Sequence, residues 1–162
     1  MKTLVFIRHG KSSWEYDVSD KDRPLKSRGI RDANMVSKQF ETTLFTADCV
    51  ISSPANRAIS TCNIFAKNLR ISPDLIQIHE EIYDFGGTSV MNFVRNLNNA
   101  YSNAMIFGHN HAFTSLVNKL GSQYIDNLPT SGLVKIDFDV DSWDALNRGI
   151  TGLVIFPKHL KS

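Results

Sequence analysis

The sequence predicts one three-layer α/β/α domain over residues 1–162, with a mostly parallel central sheet, and three observations carry that expectation. Short runs rich in branched and aromatic side chains alternate along the chain with stretches of helical period, the pattern of strands separated by crossover helices. Several of the runs, beginning with Leu4-Val5-Phe6-Ile7, are apolar at every position, as strands buried on both faces are in a parallel sheet. No internal repeat or linker divides the chain, whose 162 residues match one compact domain.

Composition excludes several classes of function. Apolar residues make up 42% of the chain and charged residues 21%, as in ordinary globular proteins. The formal net charge is +2, from 18 Lys plus Arg against 16 Asp plus Glu, too small a surplus for a dedicated nucleic-acid surface. No basic run suggests adhesion to a membrane, and no stretch has the length of a transmembrane helix. Cys49 and Cys62 fall in a strand and a helix without metal-ligand spacing, so they read as buried free thiols of a reducing compartment. The first apolar run meets a charged pair too soon for a signal peptide, and the expected location is cytoplasmic. Nothing in the sequence indicates an oligomeric state.

In chain order, the first strand covers Lys2 to Ile7 and ends in Arg8-His9-Gly10. Ligand crevices of open α/β sheets lie outside the carboxyl ends of their strands, which is where Arg8 and His9 emerge. Gly10 permits a sharp turn or a close backbone approach. Residues 11–25 show neither helical nor strand period and read as a long loop on that same edge, where long loops are usually functional. Ser12 and Ser13 in this loop are either hydroxyl donors to an oxyanion or turn formers.

A helix opens at Ser27-Arg28-Gly29, with a core stripe at Ile30, Ala33, Met35, Val36 and Phe40. The second strand, Asp48-Cys49-Val50-Ile51, leads into Ser52-Ser53-Pro54, where Ser53 reads as an N-cap and Pro54 as the first helical residue. Arg57 then falls in the first turn of a helix. A cation there opposes the helix dipole unless an anion sits with it; the alternative is an exposed surface arginine.

A short strand, Leu75 to Ile78, precedes Glu80, Glu81 and Asp84, each a candidate general acid or else a solvated loop charge. Thr88 or Ser89 caps the next helix, with apolar positions Val90, Phe93, Val94 and Leu97. The strand Ala104-Met105-Ile106-Phe107 ends in Gly108-His109-Asn110-His111, followed by a helix reaching Gly121. His109 and His111 lack a third ligand at zinc spacing and make a poor metal site. Strands at 133–138 and 152–156, with a short strand near Trp143 between them, complete the chain.

Three strand ends thus deliver Arg8 with His9, Arg57, and His109 to one crevice. Two guanidinium forks match the oxygens of a phosphoryl group, one imidazole can attack phosphorus, and the other can donate to the charged transition state. Arg8-His9-Gly10, Arg28-Gly29, Ser52-Ser53-Pro54-x-x-Arg57-Ala58, Gly108-His109-Asn110 and Leu128-Pro129-Thr130-Ser131-Gly132 together resemble the histidine phosphatase, or phosphoglycerate mutase-like, superfamily. The short chain, the Arg-His-Gly-Lys-Ser start and Asp22-Arg23-Pro24-Leu25 look most like its SixA-type phosphohistidine phosphatases.

That resemblance implies His9 as the nucleophile forming a covalent phosphohistidine. Arg8, Arg57 and His109 would bind the phosphoryl group, with Ser12 or Ser13 as a further substrate contact. It implies no metal and no cofactor, because the arginines and histidine supply the charge. The substrate it suggests is phosphohistidine in a signalling protein; a small-molecule phosphomonoester and a non-catalytic module binding a phosphorylated protein are the alternatives. The acid of larger members has no clean counterpart here, which leaves Glu81 as the candidate general acid, and His111 stands where the family usually has proline. A chain this short has little material for a lid, so the crevice should be open.

Overall fold

The structure is a computed structural model that describes residues 1–161. Six strands, β1 (Lys2–Arg8), β2 (Cys49–Ser52), β3 (Ile76–Ile78), β4 (Asn103–Gly108), β5 (Leu133–Phe138) and β6 (Ile150–Ile155), form one sheet in the order β3-β2-β4-β1-β5-β6. β1 to β4 are mutually parallel. β5 is antiparallel to both β1 and β6, so it alone is reversed and the sheet is mostly parallel as expected.

The layers follow from the pleat. On β1, Leu4 and Phe6 face one side of the sheet and Val5 and Ile7 the other, and all four are fully buried. Burying each such side chain contributes about 1.5–3 kcal/mol, which makes this central strand a rigid base for whatever follows it. The Val5 and Ile7 side is covered by α1 (Ser27–Glu41) and α2 (Asn56–Leu69), through Ala33, Val36, Phe40, Cys62 and Phe65. The Leu4 and Phe6 side is covered by α3 (Thr88–Arg95) and α4 (Ala112–Leu120), through Val90, Val94, Phe113 and Leu116.

Four local expectations change. Ile30 is not core: the buried stripe of α1 runs through Gly29, Ala33, Val36 and Phe40, and Ile30 lies about 100° around the helix from Gly29. Ser53 does not cap α2; the N-cap is Ala55, and the Ser53 hydroxyl instead accepts from the Ala55 N–H at 3.2 Å and contacts a histidine ring described below. α3 is capped by neither Thr88 nor Ser89. The Asp84 carboxylate accepts from the N–H groups of Gly87 and Val90, at 3.0 Å each, which suits a negative charge at a helix start. Trp143 opens a single 3-10 turn (Trp143–Ala145) rather than a strand, its buried indole donating to Tyr101 O at 3.0 Å. Cys49 and Cys62 are free and buried, which pushes both thiols up to about 12.

The Arg28-Gly29 pair marks a close approach. A Cβ on Gly29 would lie 2.3 Å from the Lys11 carbonyl oxygen, because the start of α1 rests directly on the backbone leaving β1. The Lys26 N–H donates to that same carbonyl at 2.8 Å. Gly29→Ala should therefore lower stability by about 1–3 kcal/mol, the range for overpacking a closed contact, although alanine is the better helix former. Urea unfolding of the two proteins checks this, with an unchanged or raised midpoint counting against it.

Candidate functional site

β2, β4 and β1 are adjacent, so the chain segments leaving their carboxyl ends are neighbours. His9 follows β1, His109 follows β4, and Arg57 sits in the first turn of α2, after β2. Backbone hydrogen bonds lock these exits together: His9 N–H donates to Gly108 O at 3.0 Å, and Ser53 N–H to Phe107 O at 3.0 Å. The Ser131 N–H reaches both Arg8 O and His9 O, at 3.0 and 3.1 Å, and the Gly10 N–H donates to Thr61 Oγ1 at 2.9 Å.

These contacts fix the protonation pattern of His9. Its Nδ1 lies 2.7 Å from Gly10 O, and a carbonyl only accepts, so Nδ1 carries the proton. Nε2 is left with its lone pair, 3.4 Å from Arg57 Nε, which can donate to it. Burial depresses the imidazole to about 3; the Gly10 hydrogen bond works against this, and the charges of His109, Arg57 and Arg8 reinforce it. At neutral pH the ring is uncharged, as a nitrogen nucleophile must be.

His109 is fully buried, its ring centroid 5.2 Å from that of His9. Its Nε2 is 2.8 Å from Ser53 Oγ and its Nδ1 3.5 Å from Arg57 Nη2. It too is lowered to about 3, by burial first and then by Arg57, with Asp20 opposing and Arg8 and Arg23 adding. Arg8 donates from Nη1 to Leu128 O at 2.9 Å, while its buried Nε has no partner among the described residues. Burial and the nearby Arg57 both lower it from its ordinary value. Two guanidinium groups, an unpartnered N–H and two imidazoles thus share one desolvated pocket, an arrangement that favours an oxyanion.

One anion is already attached, and it comes from a residue the sequence reading did not single out. Asp20 lies in a 3-10 turn, Asp20–Asp22, of the long loop. Its carboxylate accepts from Arg57 Nη2 at 2.9 Å, Tyr83 Oη at 2.5 Å and Arg23 Nε at 3.2 Å, and its backbone O accepts from Arg57 Nη1 at 2.6 Å. Burial pushes this carboxyl up, but the Tyr83 and Arg57 hydrogen bonds and the charges of Arg57 and Arg23 prevail and hold it at about 2. The hints in the sequence were the long loop on the ligand edge, which singled out no acidic residue, and the neighbouring Asp22-Arg23-Pro24-Leu25, which carried a resemblance and no role.

The loop also makes contacts on both sides of the site. Lys21 pairs with Glu80 at 2.9 Å, and Asn56 Nδ2 donates to Asp22 O at 3.2 Å, so the turn straps the start of α2 to the segment after β3. His9, Arg57 and His109 are only 7%, 2% and 0% exposed.

The remaining candidates separate. Arg8, His9, Arg57 and His109 are brought together. The Ser12 hydroxyl accepts from Arg23 Nη1 at 2.8 Å and so joins the cluster at one remove, while Ser13 Oγ accepts from the Glu15 N–H, as a turn former does. Glu81 is exposed on the 3-10 turn Glu80–Ile82 and lines an outer groove with Thr88, Asn92 and Phe93, with no hydrogen bond from its carboxylate to the four. Glu80 is engaged by Lys21 and Asp84 by the α3 cap. His111 is exposed at the N-cap of α4. Among the described residues, no group of three or more His, Cys, Asp and Glu could hold a metal ion, and no helix is long and apolar enough to cross a membrane.

The chain is similar to several known proteins in sequence and in fold. The sequence model of the histidine phosphatase superfamily (branch 1) matches residues 4–87. An uncharacterized protein of Mycobacterium tuberculosis is 26% identical over 160 residues, covering 93% of this chain and 98% of that protein. A 2,3-bisphosphoglycerate-dependent phosphoglycerate mutase of Pasteurella multocida is 41% identical over 64 residues, 38% of this chain and 28% of the mutase. Among solved structures, the protein histidine phosphatase SixA complexed with tungstate superposes with a TM-score of 0.83 at 21% identity, over 98% of this chain and 99% of that one. That likeness establishes the fold.

The neutral imidazoles have a measurable consequence. Unfolded histidines take up protons near 6.5, whereas His9 and His109 in the folded chain do so only near 3. The unfolded state therefore binds more protons between these limits, and stability is lost as pH falls through that window and is constant above it. Urea midpoints measured from about pH 6.5 downward should fall, and His109→Gln should flatten the decline; a midpoint independent of pH would show that the rings are not held neutral.

Proposed function

The chain belongs to the histidine phosphatase superfamily (branch 1), and on that premise we propose that it hydrolyses phosphohistidine through a covalent phosphohistidine on His9. The observation that carries this reading is the unprotonated Nε2 of His9 facing the Nε edge of a buried arginine. In the first step the Nε2 lone pair attacks phosphorus, a P–N bond forms, and the bond to the leaving group breaks. Arg8 and Arg57 neutralise the charge of the equatorial oxygens and His109, an uncharged ring, serves beside them as a hydrogen-bonding group, so positioning and electrostatics supply most of the acceleration. In the second step water attacks the phosphoenzyme, returns His9 and releases orthophosphate. The charge compensation rests on arginine, and no metal enters either step.

Leaving-group chemistry selects the substrate. The bridging oxygen of an alkyl ester needs a proton as it departs, delivered at that atom by a nearby acid. Asp20, joined to the cluster, is held ionised, with its carboxyl at about 2, and Glu81, Glu80 and Asp84 make no contact with the four side chains. A phosphorylated imidazole has a second ring nitrogen, remote from phosphorus, that takes its proton from solvent and lets the ring leave neutral.

Phosphate release from a phosphohistidine-bearing protein, an aryl phosphate and an alkyl phosphate, each with chelator present, tests the reading. Turnover should fall in that order, survive the chelator and vanish in His9→Ala; turnover of the esters alone would indicate a small-molecule phosphatase, and no His9-dependent release a binding module. Arg57→Ala should reduce kcat by about 10²–10³-fold, the effect of removing one preorganised donor.

A further inference from the structure

We infer that Asp20 is a positioning residue of the reaction: its carboxylate and backbone carbonyl grip one edge of the Arg57 guanidinium and thereby aim the other edge at the phosphoryl site. This rests on the phosphatase reading of the same pocket. A guanidinium presents two bidentate edges, one of Nη1 and Nη2 and one of Nε and Nη2. Asp20 takes the first, through its backbone O at 2.6 Å and Oδ2 at 2.9 Å. The second faces Nε2 of His9 at 3.4 Å and Nδ1 of His109 at 3.5 Å, contacts long enough to give way to the oxygens of an anion.

The clamp is itself braced. Asp20 Oδ2 also accepts from the Tyr83 hydroxyl at 2.5 Å, and Oδ1 from Arg23 Nε at 3.2 Å. Arg23 is buried, donates to Ser12 Oγ at 2.8 Å, and stacks its Cζ 3.5 Å from the centroid of the Trp14 ring. The long loop thus serves as a scaffold for one arginine, a use that explains why a 42%-exposed acidic side chain makes so many directed contacts. Its negative charge also offsets Arg57 and Arg23 while the site holds no phosphoryl group.

Positioning predicts a selective loss at the transition state. Asp20→Ala should lower kcat on an aryl phosphate about 10- to 100-fold with little change in KM, and weaken binding of orthovanadate, a mimic of five-coordinate phosphorus, about tenfold more than that of orthophosphate. Asp20→Asn, whose amide oxygen can still accept from Nη2, should recover most of both. Tighter binding of the two anions in Asp20→Ala would mean that the carboxylate obstructs the site, overturning the inference. So would an Asn variant as impaired as Ala together with loss of the basic limb of the pH–rate profile, the mark of a proton donor. A lowered unfolding midpoint with an unchanged vanadate-to-phosphate ratio would reduce Asp20 to a structural role and equally overturn it. The anion-binding arm is read even if the chain turns over no phosphate, so failure of the phosphatase reading, seen as release unaffected by His9→Ala, is distinct from failure of this one.

Discussion

The constraint on which the rest of the molecule depends is the burial of positive charge. Arg8 and Arg57 enter one pocket with two imidazoles, and cations removed from water are costly unless something compensates them. The protein meets that constraint with neutral rings, with carbonyls such as Leu128 O and Asp20 O, and with a single carboxylate on the outer edge of Arg57. What remains uncompensated, including the unpartnered Nε of Arg8, is the capacity to bind an oxyanion.

The sheet supplies the precision this requires. β1 is paired on both sides and buried on both faces, and His9 is tied across to Gly108 and Ser131 as soon as the strand ends. Both the position of the His9 ring and its tautomer are therefore set by backbone geometry, since the Gly10 carbonyl claims the proton on Nδ1. Gly29 extends the same frame. By letting α1 rest on Lys11, it holds the departing loop against the body of the protein, and that loop then carries Asp20 to Arg57.

Much of this was legible along the chain. Alternating apolar runs and helical stripes announced the three layers, because strands buried on both faces leave few polar positions. Arg8, His9, Arg57 and His109 were legible because each follows a strand at its carboxyl end, and adjacent parallel strands must bring such ends together. Asp20 was not, since an acidic residue in an aperiodic loop looks like any solvated charge until the loop is folded back. For the same reason the sequence left Glu81 and Asp84 with two readings each: local sequence does not tell an exposed turn or a helix cap from a proton donor.

The sequence by itself determined the six strands of the sheet, though not that Trp143 lies outside any strand, and with their ends the composition of the cationic pocket, because periodicity and residue type act locally. Only the tertiary structure decided which edge of Arg57 faces the imidazoles, which nitrogen of His9 is free, that Ser53 contacts His109 rather than capping α2, and that the long loop carries Asp20 to Arg57. Those outcomes depend on hydrogen bonds between residues tens of positions apart, whose directions are set by how the layers pack and leave no periodic trace in the chain.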